Sequence, residues 1–204
     1  MWMALILAAC ATPPTAMAPQ APPPEERPEA EDSPRTATPS APTFVGRFDA
    51  EQQTAFVQAA RSHLGTPYRW NGRGTSRLPG LDCLGILFRA DEAVTGTPWR
   101  QFAVNPSELV AGGLLGAAVP TLSGVLRDDV PHSHLQPGDV LYFLLAGYEI
   151  PDEPLMVRGD VRYWPWHTGL YAGEGQVIHA SPGAGKVVEE PLEHVGFDAL
   201  YVTR

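Results

Sequence analysis

Proline placement decides how much of this chain can fold. Ten of the 22 prolines fall between residues 11 and 42, interleaved with Ala, Thr, Glu and Ser. A stretch of that composition cannot bury a core, so residues 10–42 are expected to run as an extended, semi-rigid tether. Folding is thereby confined to residues 43–204, a length that suits one compact domain. Because 44% of all residues are apolar, that domain has the material for a sizeable core.

Within it, helix signals come first and strand signals follow. Asp49 is placed to cap a helix, Gln52 completes a capping box, and Phe56, Ala60 and Leu64 fall on one face until Gly65 stops the run. A second helix is predicted from Cys83 through Val94 with Asp82 as its cap, ended by Thr95 to Thr97. Asn105 and Pro106 mark a third, short start. From Gln136 the pattern changes: a Pro-Gly-Asp turn feeds the strand Val140 to Phe143. Strands are predicted at His167 to Ala172 and Gln176 to Ser181, joined as a hairpin through Gly173-Glu174-Gly175, with closing strands at Lys186 to Glu190 and Ala199 to Thr203. Helices followed by antiparallel strands give an α+β domain.

Composition removes two classes of partner. The net charge is -9, from 14 Lys and Arg against 23 Asp and Glu, so phosphates find no excess of cations; neither nucleic acid nor an anionic membrane surface is an expected partner of the folded part. No segment is long and apolar enough to span a bilayer. His132 and His134 stand close together without a matching set of carboxylates or cysteines, and no metal site is expected. His63 and His194 read as surface residues, and Asp160 and Arg162 as solvated charges.

The chemistry-bearing residues are Cys83, His167 and His179. A cysteine at a helix start faces unpaired amides and the positive end of the helix dipole, which favour a thiolate and can hold a developing oxyanion. A buried structural cysteine is the plainer alternative for one such residue alone. His167, at the head of a strand, is the type of base that a thiol nucleophile needs. Strand register links it to His179. With a three-residue loop, Gly169 stands opposite His179 and the two imidazoles lie diagonally on one face; a two-residue loop would shift the register and send them to opposite faces. In the first case His179 orients His167 while His167 activates Cys83.

Taken together these segments resemble the NlpC-type cell-wall cysteine peptidases of papain-like fold. Leu64-Gly65-Thr66-Pro67-Tyr68-Arg69-Trp70 is similar to that family's segment ahead of the nucleophile, and Asp82-Cys83-Leu84-Gly85 to its nucleophile motif. Leu135 to Phe143 resembles its Pro-Gly-Asp strand, while His167 to Tyr171 and Val177 to Ser181 resemble its base and third-residue strands. The resemblance implies Cys83 as nucleophile, His167 as base, His179 as orienting residue, and Tyr68, Trp70 and Asp82 as residues that line the substrate site. It also implies hydrolysis of peptidoglycan stem peptides at the γ-D-glutamyl bond to a diamino acid, through a thioester and without a cofactor. The chain departs from the family at Leu84, where serine is usual and helps bind a free stem amine, and at Asn71-Gly72, where two glycines are usual. Residues 91–134 and 144–166 are longer than usual, and the aromatics of the second segment are expected to pack an inserted loop onto the domain.

At the other end, Leu7-Ala8-Ala9-Cys10 resembles the lipobox of bacterial lipoproteins. That likeness implies a short signal peptide at residues 1–9, a lipidated Cys10 that anchors the chain to a membrane, and a place in the bacterial cell envelope facing the periplasm. Two other functions fit the same residues: a thiol amidase or acyltransferase on another amide, and an inactive cell-wall-binding lipoprotein.

Overall fold

The computed structural model describes residues 46–103, 105–147 and 153–204. The expected signal peptide, Cys10 and the tether lie outside the described residues, as does Tyr148. Among the described residues no helix is long and apolar enough to cross a membrane.

Among the described residues, three α-helices precede the sheet. Helix α1, Ala50–Arg61, starts with the predicted capping box: Asp49 accepts the Gln52 amide at 2.8 Å, and the Gln52 side chain accepts the Asp49 amide at 3.2 Å. Phe56, Val57 and Ala60 are its buried residues. Leu64 does not join them. The helix stops at Arg61, the chain turns through Gly65 at φ 81°, and Leu64 is left exposed. Helix α2, Cys83–Thr95, buries Leu84, Ile86, Leu87, Phe88 and Ala90 and ends on left-handed Gly96. Burying Phe88 alone contributes about 2–3 kcal/mol relative to exposure. Helix α3, Pro106–Ala111, is capped by Asn105, which accepts the Ser107 amide at 2.7 Å.

Seven strands of the described residues form one antiparallel sheet: β1 Val125–Leu126, β2 Val140–Ala146, β3 Met156–Arg158, β4 Val161–Gly173, β5 Gln176–Ser181, β6 Lys186–Pro191 and β7 Ala199–Thr203. Their order is β1-β7-β2-β4-β5-β6, with β3 paired to the first part of β4. One face carries Val140, Tyr142, Leu144, Leu170 and Ile178 against α1 and α2. The other carries Leu141, Phe143, Tyr171, Val177 and Val202 against Leu122, Leu135, Leu192 and Phe197. Alternation along each strand produces this division. At the C-terminus, Arg204 holds buried Asp139 through two bonds of 2.6 and 2.9 Å, which fixes the turn that launches β2.

The segment expected as an inserted loop is organised differently. Residues 144–146 extend β2 and residues 161–166 extend β4, so Tyr163 and Trp164 are buried within the sheet's own layers. Between Phe143↔His167 and Leu144↔Pro165 the register shifts by one, leaving Trp166 as a bulge residue immediately before His167.

Candidate active site

The tip of α2 is built around a buried ion pair. Asp82 caps the helix by accepting the Gly85 amide at 2.6 Å, and the same oxygen meets Arg73 Nη1 at 2.5 Å. Both side chains are almost fully buried, and the Arg73 guanidinium also donates to the Gly72 carbonyl and lies over the Phe88 ring. Gly85 is required for this closure: a Cβ there would stand 2.2 Å from the Gly72 carbonyl oxygen.

Cys83 is the first residue of α2 and is half-buried. Thr168 of β4 donates its hydroxyl to the Cys83 carbonyl at 2.9 Å. The Thr168 hydroxyl and amide, with the Leu84 amide, also favour a thiolate on Cys83. They do not prevail. Burial first, and then the Asp82 charge, push the thiol up to about 11, so at neutral pH it is protonated. The expectation that a helix tip yields a resting thiolate is outweighed here by the desolvation that tertiary packing imposes.

The two histidines meet. His167 Nε2 lies 2.7 Å from His179 Nδ1, the rings being edge to face at 4.9 Å. The hairpin loop is nevertheless the short one. Glu174 and Gly175 both take positive φ, 51° and 74°, as a tight two-residue turn requires. A bulge between Tyr171 and Gly173 then restores the register, so that Tyr171 pairs with Val177 and Leu170 with Ile178. Carried one residue further, that register sets Gly169 opposite His179 and His167 on the diagonal. Both imidazoles therefore share the face that carries Phe143, and His167 is stacked between Phe143 at 5.9 Å and Trp166 at 5.0 Å. Cys83, at the tip of α2, meets β4 through its backbone carbonyl, which accepts the hydroxyl of Thr168, the residue after His167.

Burial lowers His167 to about 3, with the neighbouring His179 acting in the same direction. His179 is lowered as well, again by burial first, with Glu190 opposing. Both rings are neutral at pH 7. Glu190 is the residue that the sequence reading missed. Its Oε1 lies 2.7 Å from His179 Nε2, on the nitrogen opposite His167. The signal was available: in the β5–β6 register Val188 faces His179, so Glu190 sits on the next diagonal of the same face.

Tyr68 stands near Cys83 and Asp82; burial first, then those two groups, raise its hydroxyl and keep it protonated. Trp70 is not gathered into the cluster and is 77% exposed. His132, His134 and His194 are exposed, and His63 is half-buried. Among the described residues no group of three or more His, Cys, Asp or Glu is arranged to hold a metal ion.

Residues 65–203 match the sequence profile of the NlpC/P60 family. Peptidoglycan endopeptidase RipB of Mycobacterium tuberculosis is 26% identical over 189 residues, covering 84% of this chain and 62% of that protein. A probable endopeptidase of Corynebacterium glutamicum strain R is 26% identical over 146 residues, 70% of this chain and 49% of that one. Dipeptidyl-peptidase 6 of Lysinibacillus sphaericus is 25% identical over 137 residues, 67% of this chain and 35% of that one. The chain thus spans less than two thirds of the length of each of these relatives. Among solved structures, that of the peptidoglycan hydrolase RipB from M. tuberculosis superposes with a TM-score of 0.48 at 22% identity, covering 76% of this chain and 64% of that one.

Proposed function

The chain belongs to the NlpC/P60 family, and from that premise we propose that it is a cysteine endopeptidase of the bacterial cell wall in which Cys83, His167 and His179 carry the reaction. The observation that supports this reading most is the 2.7 Å imidazole pair on β4 and β5, with the helix-tip cysteine held against the residue after the base.

In this reaction the resting state is uncharged, because burial disfavours both the thiolate and the imidazolium. His167 Nε2 is engaged by His179, which leaves Nδ1 as the base. As the substrate carbonyl arrives, the Cys83 S–H bond breaks, its proton passes to Nδ1 and the sulfur bonds to the carbonyl carbon. Amides at the start of α2 hold the oxyanion. The imidazolium then protonates the departing amine, leaving a thioester on Cys83. Water, deprotonated by the same ring, hydrolyses that thioester and restores the thiol. Tyr68, kept protonated beside the sulfur, donates to the substrate. No cofactor enters this sequence.

The substrate is a peptidoglycan stem peptide, cut at the γ-D-glutamyl bond to the diamino acid. Asp82 has both a helix cap and a buried guanidinium to satisfy, so its carboxylate is a poor receptor for a free substrate amine. With Leu84 beside it, this favours stems that are still attached through their amino end. Trp70, exposed in the same loop as Tyr68, offers an aromatic surface at the margin of the site. Lipidation at Cys10 and a proline-rich tether would hold the domain within reach of the wall.

The test is incubation of the full chain with defined muropeptides followed by mass spectrometry. Wild type is expected to release fragments cut at the γ-D-glutamyl bond, with more turnover on stems lacking a free amine, while Cys83→Ala releases none. Cleavage by Cys83→Ala at the wild-type rate would overturn the proposal. Cleavage of a different amide, dependent on Cys83, would replace the endopeptidase with a thiol amidase.

A further inference from the structure

We propose that Glu190 is a positioning residue, and that its carboxylate sets the tautomer of both histidines so that His167 presents a bare Nδ1. This inference rests on the catalytic reading of Cys83 and His167 given above, and it adds a fourth residue to that reading.

A carboxylate only accepts, so with Glu190 Oε1 2.7 Å from His179 Nε2 the proton must lie on Nε2. His179 is held neutral by burial, so its single N–H is then spent and Nδ1 carries a lone pair. That lone pair faces His167 Nε2 at 2.7 Å and can only accept. His167, neutral as well, must donate from Nε2, which leaves its own Nδ1 unprotonated. One anion at the far end of the chain therefore dictates which nitrogen of His167 is the base. Without it, the two rings can donate in either direction, and in the reversed pattern Nδ1 of His167 carries a proton and cannot accept one from the thiol.

Two further facts fit a residue built for this task. Glu190 reaches His179 across β5–β6 by the same diagonal that joins His179 to His167 across β4–β5, so three adjacent strands align carboxylate, imidazole and imidazole on one face. Its second oxygen lies 3.7 Å from the exposed His194 Nδ1, beyond hydrogen-bond distance, so the bond that Glu190 makes to a buried ring is the one from Oε1. During turnover every proton transfer passes through Nδ1 of His167, from the thiol, to the leaving amine and from water. Glu190 keeps His179 oriented toward the imidazolium that forms on His167.

The experiment uses the full chain labelled with 15N histidine. In wild type, long-range 15N correlation spectra are expected to show both His167 and His179 protonated on Nε2. In Glu190→Ala and Glu190→Gln, His167 is expected to shift toward a mixture that includes the Nδ1–H form. With muropeptide, kcat should fall at least about tenfold while KM changes less than about twofold, since the ring is misoriented but the substrate surface is intact. Glu190→Asp should recover part of the loss, and His194→Ala should leave tautomers and turnover unchanged. A wild-type His167 protonated on Nδ1, or Glu190→Ala with unaltered tautomers and kcat, would overturn the inference. If wild type cleaves no muropeptide, the proposed function fails, yet the tautomer measurement still decides the role of Glu190.

Discussion

Acid should unfold this domain early, and His167 should be a principal reason. Its ring is buried and lowered from 6.5 to about 3 in the folded state. Between those values the unfolded chain binds a proton that the folded chain refuses. The stability it contributes is thus fully present above pH 6.5 and lost as pH falls toward 3. Each pH unit in that window costs about 1.4 kcal/mol for one such group, so moving from pH 6.5 to 5 costs about 2 kcal/mol. His179 is lowered too and adds a cost of the same sign. Urea unfolding of the full chain at pH 7 and pH 5 measures the difference. The comparison is His167→Phe, which fills the space between Phe143 and Trp166 without a titrating group. Its stability should depend on pH less steeply than that of wild type, by about 2 kcal/mol across this interval. Equal pH dependence in the two proteins would show that His167 is protonated as easily folded as unfolded, and the claim of a desolvated base would be wrong.

Three further outcomes follow from the helix tip. Arg73→Met leaves the Asp82 carboxylate buried with only the Gly85 amide as partner, and should lower unfolding stability by about 3 kcal/mol; Arg73→Met with Asp82→Asn should recover most of it in the same urea titration. Gly85→Ala forces a methyl against the Gly72 carbonyl and should cost at least about 1–3 kcal/mol, read as a lowered Tm. Alkylation of Cys83 by iodoacetamide should be slow at pH 7 and keep accelerating up to pH about 11; Thr168→Val, which removes a group that favours the thiolate, should move that profile to still higher pH.

What the sequence revealed was what is decided locally or by strand parity. Asp49, Asp82 and Asn105 cap helices through bonds within three residues, so each start could be placed from spacing alone. The pairing of His167 with His179 depended on register, and its prediction came with a condition: a two-residue loop would separate the rings. The loop is two residues, and the bulge near Ala172 reverses that consequence. Bulges at Ala172 and Trp166 follow from how the strands twist against their neighbours, which no local motif encodes. Leu64 looked like a core residue because periodicity was extended past Arg61, where the helix stops. Glu190 lies one strand beyond the hairpin, on a diagonal set by the β5–β6 register rather than by the hairpin loop. The protonation state of Cys83 was also out of reach, since it is set by how far packing removes water from the helix tip and by a carboxylate whose charge the buried Arg73 shares.

In the proposed reaction Cys83 carries the acyl fragment between two proton transfers made by His167. Rapid-quench intact-mass spectrometry of the full chain during muropeptide turnover tests it directly. A transient adduct equal in mass to the acyl half of the substrate is expected on Cys83, formed and discharged by wild type and undetectable in His167→Ala. Turnover at the wild-type rate in His167→Ala, or cleavage with no adduct together with unimpaired activity in Cys83→Ala, would contradict it.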